Sequence, residues 1–322
     1  MSFPTFGAST TAEEVAAAFC NEIQGKNVLI TGTSLNSLGF ETARAIARFA
    51  NLVIITGYNA ERLRLSEAAI KLELPTANIR CLDLDLSSLA AVRKAAEEVN
   101  AYPEPIHVLI HNAAATIGPF KLTVDNLESQ IATDSIGPFL FTKLILPKIY
   151  AAKTATYTPR VVALTSIFHE YAQGIDFADI RRPNPEKYQP FQAYNQAKSA
   201  NVLVMAELSR RAGDAIHAYS VSPGVALTNI QLKPESIDIF IASGIITPDG
   251  KPNTDNFTWK TIPQSAATTL VAAFDPRLDD KSGAYLDDCN VAEIAGPNIL
   301  DAELPRKLWS TMEKIIGESF VL

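Results

Sequence analysis

Lys26-Asn27-Val28-Leu29-Ile30-Thr31-Gly32-Thr33-Ser34-Leu35-Asn36-Ser37-Leu38-Gly39 is the stretch that decides the fold. Lys26 to Thr31 is short, apolar and rich in branched residues, which predicts a buried strand. Gly32 to Gly39 reads as a turn. Phe40 to Ala50 follows, with Ala43, Ile46, Ala47 and Ala50 at helical spacing. A strand, a glycine-bearing turn and a helix can bring backbone amides up to a pyrophosphate at the helix N-terminus. Only Gly32 and Gly39 remain of the usual glycines, and Ser37 stands where a middle one is expected. Taken alone, the turn is as readily an ordinary turn as a phosphate cradle.

The same alternation runs outward from it. Leu52–Thr56, Ile79–Leu84, Ile106–His111, Arg160–Thr165, Ile216–Val221 and Ala284–Leu286 read as further strands. Helices are expected over Asn59–Leu74, stopped by Pro75, and Ser87–Asn100, with Ser87 as N-cap. Another is expected over Val124–Ala152, where Pro138 and Pro147 kink or split it, and another from Ala193 to Leu208. Continuously apolar strands alternating with helices predict an α/β, Rossmann-type, doubly wound parallel sheet of about seven strands with helices on both faces. Residues 1–25 read as a loose arm followed by a short helix over Ala12–Asn21. Residues 26–322 read as one dinucleotide-binding and catalytic domain. The poorly periodic 228–260 segment is too long for an idle loop and is expected to meet substrate.

Composition excludes several classes. The chain has 322 residues and a formal charge of −7 with scattered Lys and Arg, so no nucleic-acid footprint is visible. Cys20, Cys81 and Cys289 are far apart and read as reduced thiols of a cytoplasmic protein. The four histidines lack metal-ligand spacing, and no metal is expected. No apolar run reaches the ~20 residues of a membrane span, and the N-terminus lacks a signal-peptide pattern.

Tyr194-Asn195-Gln196-Ala197-Lys198 opens the last of these predicted helices. Residues four apart share a helix face, so the phenol and the ammonium project into one site, where the cation favours the phenolate. That arrangement lets a tyrosine exchange protons near neutral pH. Taken singly, such a pair is more often a half-exposed face with a solvated lysine. Four other features end strands at the carboxyl edge of the sheet, where open sheets bind ligands. They are Leu84-Asp85-Leu86, His111-Asn112-Ala113-Ala114-Ala115, Ser166, and Ser222-Pro223-Gly224-Val225-Ala226-Leu227-Thr228. Each has a plain counterpart: a helix-start acid, a small-residue turn, a loop serine, a Pro-Gly turn.

In this order the pieces resemble the short-chain dehydrogenase/reductase family, and in detail its retinol-dehydrogenase-like branch and related fungal reductases. Leu84–Leu89, Thr165–His169, Tyr194–Asn201 and Gly283–Leu286 carry the detail. The resemblance implies an NAD(P)-dependent oxidoreductase that interconverts a carbonyl and an alcohol on a hydrophobic small molecule. It makes Tyr194 the acid/base, Lys198 its tuning cation and Ser166 the clamp on the substrate oxygen. Gly32, Ser34, Ser37, Leu38 and Gly39 would take the pyrophosphate, and Asp85 with Leu86 the adenine. Asn112, Ala113 and Ala114 would line the adenine-side ribose, and Pro223, Gly224, Val225 and Thr228 the nicotinamide amide. Relatives of this kind are commonly homodimers or homotetramers.

The family's asparagine in the long helix is Asp134 here, which can pair with Lys198 and raise its pKa. After the second strand, Tyr58 and Asn59 stand where an acid would select NAD, and Arg62 follows one turn on. NADP(H) is therefore expected over NAD(H). The alternative is a cofactor-binding protein of the same fold with a non-redox, isomerase-like or regulatory role.

Overall fold

The computed structural model of the protein describes residues 3–293, 301 and 303–322. Its centre is an eight-stranded sheet. The strands are β1 (Asn27–Ile30), β2 (Leu52–Gly57), β3 (Ile79–Asp83), β4 (Val108–His111), β5 (Arg160–Leu164) and β6 (His217–Val221), with β9 (Tyr285–Asp287) and β10 (Asn290–Ala292) at one edge. Between them in sequence, β7 (Val225–Ala226) and β8 (Trp259–Lys260) form a separate parallel pair. The order across the sheet is β10-β9-β6-β5-β4-β1-β2-β3. All pairings in it are parallel except β9 with β10. Strand order reverses between β1 and β4, and the crevice outside their carboxyl ends is where a doubly wound sheet accepts ligands.

Alternate residues of each strand feed two apolar layers. Leu29, Leu52, Ile54, Leu109 and Val161 face the helices Leu89–Ala101, Gly137–Leu144 and Pro190–Ala212. Val28, Ile30, Val53, Ile55, Ile110 and Val162 face the helices Ala12–Ala18, Leu38–Ala47 and Ile262–Phe274. The period-2 geometry of a strand makes this two-sided burial possible only if nearly every residue is apolar, as β1, β4 and β5 are. A third, smaller cluster of Ile117, Phe240, Ile245 and Ile246 belongs to neither layer.

Several sequence expectations need correction. The parallel sheet of about seven strands is there, and an eighth, antiparallel strand is added because the chain doubles back after β9 through Asp288 and Cys289, both at positive φ. The loose arm is tied down: Phe3 and Phe6 set their rings 5.0 and 5.5 Å from Phe19. Asn290 and Arg277 donate to the carbonyls of Phe6 and Pro4. The 228–260 segment holds the helix Ile237–Ala242 and strand β8. The helix expected from Ser87 is capped one residue later, by Ser88. Ser87 instead donates to Asp85 Oδ1 through its amide (2.9 Å) and its hydroxyl (2.6 Å).

The expected long helix before β5 is split as its prolines require. Pro138 and Pro147 sit in the first turns of the helices Gly137–Leu144 and Leu146–Tyr150. Pro138 would drive its ring into the carbonyl four residues back, at Asp134. The backbone opens there into a π-turn, Ala132–Ile136. Gly137 is also required: a Cβ on it would stand 2.3 Å from the Leu86 carbonyl oxygen. The helices Ile262–Phe274 and Leu304–Ile316 were not foreseen. The first is buried almost all round from Ser265 on, which erases the periodic signal.

Candidate active site

Thr165 ties the end of β5 to the helix that carries Tyr194 and Lys198. It ends β5, and its hydroxyl donates to the Lys198 carbonyl at 2.7 Å, pinning the strand end to the helix Pro190–Ala212. Ser166, the next residue, is thereby held beside the helix turn that carries Tyr194 and Lys198. Ser166 is buried, and its Oγ accepts from the Phe168 amide at 3.2 Å. Its own proton has no protein acceptor among the described residues. Tyr194 is half-buried with its ring 6.4 Å from Phe168. Ser166, Tyr194 and Lys198 line one cavity of about 280 Å³.

Lys198 and Asp134 form a buried ion pair, Nζ to Oδ2 2.9 Å, with side chains 4% and 0% exposed. Asp134 Oδ1 also accepts from the Ala115 amide at 2.6 Å. Burial works against the charge on Lys198, but the Asp134 carboxylate and the nearby Tyr194 more than offset it and raise the lysine above its ordinary value. Burial likewise pushes the Asp134 carboxyl up, with Lys198 pulling it back. Asp134 does not line the cavity; it stands behind Lys198 on the π-turn.

The same cavity continues to the other expected positions. Gly32, Ser34, Ser37, Leu38, Tyr58, Asn59, Arg62, Asp85, Leu86, Asn112, Ala113, Ala114, Pro223, Gly224, Val225 and Thr228 all line it. Gly39 does not, and its role is packing. A Cβ there would meet Asn112 Nδ2 at 2.4 Å and the Gly32 carbonyl oxygen at 2.5 Å. Gly32 has φ +71, and a Cβ on it would stand 2.6 Å from Ala113 Cα. Ser37 is the N-cap of the helix Leu38–Ala47, accepting from Phe40 N at 3.1 Å. Asn36 takes the left-handed conformation, φ +58, that a glycine usually supplies in such turns.

Thr31 was missed. Its hydroxyl accepts from the amides of Asn112 and Ala113, each at 3.0 Å, clipping β1 to β4. Asn112 Nδ2 donates back to the carbonyls of Thr31 and Gly32 at 2.9 and 2.8 Å. A threonine closing an apolar strand was the available signal. Of the aromatics around the site, Phe168 and Phe240 line the cavity, Phe191 and Trp259 pack around them, and Tyr171 is 62% exposed.

This fold, with a serine, tyrosine and lysine converging on the carboxyl edge of the sheet, defines a dinucleotide-binding oxidoreductase class. The short chain dehydrogenase family profile matches residues 26–173. The chain is 37% identical to short-chain dehydrogenase TIC 32 A, chloroplastic, of Brassica napus, over 97% of this chain and 94% of that one. It is 30% identical to retinol dehydrogenase 13 of Mus musculus, over 92% and 85%. Among solved structures, NADPH-bound carbonyl reductase from chicken fatty liver superposes with a TM-score of 0.60 at 18% identity, covering 84% of this chain and all of that one. The chain belongs to the short-chain dehydrogenase family. Within it, the similarity is to the retinol-dehydrogenase-like branch. Among the described residues no helix is long and apolar enough to cross a membrane.

Proposed function

We propose that the protein is an NADP(H)-preferring oxidoreductase that interconverts a carbonyl and an alcohol on a hydrophobic small molecule. The observation that carries this reading is one cavity lined both by Ser166, Tyr194 and Lys198 and by the turn around Gly32. The fit to a dinucleotide is supported by the Gly32 cradle, where any side chain would collide with Ala113. Arg62, which forms no ion pair among the described residues, supports the 2′-phosphate preference.

When bound, a reduced nicotinamide supplies the hydride. Tyr194 gives its phenolic proton to the substrate oxygen in reduction and takes it back in oxidation. Lys198, kept charged by Asp134, favours the phenolate in that exchange. Ser166 Oγ, with its proton uncommitted, holds the substrate oxygen and stabilises the charge developing on it. The nicotinamide amide would lie at Val225 and Thr228, and the adenine at Asp85, whose Oδ1 is already occupied by Ser87. The apolar wall of Ile117, Phe168, Phe240 and Ile245 favours a hydrophobic substrate.

We treat residues 26–322 as one catalytic unit with 228–260 as its substrate segment. We expect a homodimer or homotetramer in the cytoplasm, on family habit and three free cysteines. The test is loss of NADPH absorbance with a panel of hydrophobic aldehydes and ketones. Consumption by the wild type supports the reading. A second reading, cofactor binding without redox turnover, is favoured by one observation: the Asp134 carboxylate partly cancels the field of the lysine charge that the phenol relies on. Tight NADPH binding with silence across the panel selects it.

A further inference from the structure

We propose that Lys233, on the strap that crosses the phosphate turn, is a second cation for the cofactor's 2′-phosphate and sets the preference for NADP(H) together with Arg62. The inference rests on the proposed function.

The strap is fixed in place by bonds at both ends. Asn229 Nδ2 donates to the Leu35 carbonyl at 3.0 Å, joining the strap to the phosphate turn. Further along, the Lys233 carbonyl accepts from the amides of Ser236 and Ile237 at 2.9 and 3.0 Å, opening the helix Ile237–Ala242. Thr116 Oγ1 donates to the Ile230 carbonyl at 3.1 Å from the opposite wall. The backbone that carries Lys233 is thus held from three directions.

Lys233 and Arg62 come from opposite sides of the crevice, yet both line the main cavity at its Tyr58 end. Both also line a hollow of about 460 Å³ that continues outward from it, alongside Ser34 and Tyr58. Neither cation is engaged in an ion pair among the described residues. The one acid on the hollow is Glu235, whose Cγ lies 4.0 Å from where a Gly118 Cβ would be. Two cations without ion-pair partners among the described residues, lining one hollow with Ser34 and Tyr58, make a two-sided seat for a dianionic phosphate. NADH presents only hydroxyls there. A pyrophosphate, by contrast, is common to both cofactors, and binding measured with each separates the two assignments.

The experiment is titration of the full-length protein with NADPH and with NADH, read by cofactor fluorescence, for the wild type, Lys233→Ala, Lys233→Arg and Glu235→Gln. The inference expects Lys233→Ala to weaken NADPH about tenfold, the loss of one charge-assisted bond, with NADH unchanged. Lys233→Arg should restore the preference, and Glu235→Gln should tighten NADPH. Equal weakening of both cofactors assigns Lys233 to the pyrophosphate and overturns the inference. So does an unchanged NADPH affinity. A wild type that binds neither cofactor removes the proposed function itself, and the inference with it.

Discussion

Asp134 Oδ2 lies 2.9 Å from Lys198 Nζ, and both side chains are buried. The lysine charge therefore does not face the Tyr194 phenol alone. It is partly cancelled by a carboxylate brought in from the π-turn that Pro138 imposes. An aspartate in this place keeps Lys198 protonated but weakens its field where the proton moves.

Asp134→Asn should therefore shift the pH dependence of carbonyl reduction. With the carboxylate gone, Lys198 loses the partner that holds its charge against burial, and its pKa falls. A step that relies on the charged lysine should then fail at lower pH than in the wild type, so the high-pH limb should move down. The pH–rate profile of both proteins decides this, and superimposable profiles would rule the idea out.

Gly32→Ala should abolish cofactor binding and lower stability. The new methyl meets Ala113 Cα at 2.6 Å, and φ +71 disfavours any side chain. A loss of roughly 1–3 kcal/mol is expected in denaturant unfolding. Wild-type NADPH affinity in this variant would mean that the turn is not the phosphate cradle.

His111 makes the fold sensitive to acid. It is buried, bonded through Nε2 to Thr142 at 2.7 Å, and burial holds it down to about 3 from its ordinary 6.5. A histidine held neutral in the fold gains its proton on unfolding, so its stabilising share is full above 6.5 and is lost as pH falls from there toward 3. Each unit in that window costs about 1.4 kcal/mol. His111→Gln should flatten the fall in unfolding free energy between pH 7 and 5 relative to the wild type. Parallel curves would contradict it.

The N-terminal arm should contribute measurably to stability. Phe3 and Phe6 close over Phe19, and Arg277 lies 5.8 Å from both ring centroids. Phe3→Ala with Phe6→Ala should cost about 1–3 kcal/mol without changing turnover. No change in the unfolding midpoint would return this segment to the loose arm that its composition first indicated.

Most of the seven parallel strands were legible as short apolar runs between breakers, a pattern set by burial on two faces, as in β1, β4 and β5. Ser166, Tyr194 and Lys198 were legible because helical spacing and strand ends place side chains without knowledge of the rest. What escaped depended on contacts between distant residues. β10 is set by the turn at Asp288 and Cys289 rather than by its own sequence Asn290–Ala292. Ile262–Phe274 is buried on nearly every side, Ser265, Thr268 and Thr269 included, and so lacks a polar face to give a period. Thr31 and Asn112 hold one another across 81 residues. In the turn after β1 a second left-handed residue beside Gly32 is Asn36, which no glycine signalled.

The central claim is that Tyr194 moves the proton at a site holding a nicotinamide. The most direct measurement compares wild type and Tyr194→Phe for NADPH consumption with a hydrophobic ketone that the wild type reduces, alongside NADPH binding to each. The account predicts that the phenylalanine variant binds NADPH as the wild type does and loses turnover by about 10²–10⁴. Turnover retained by that variant would contradict it.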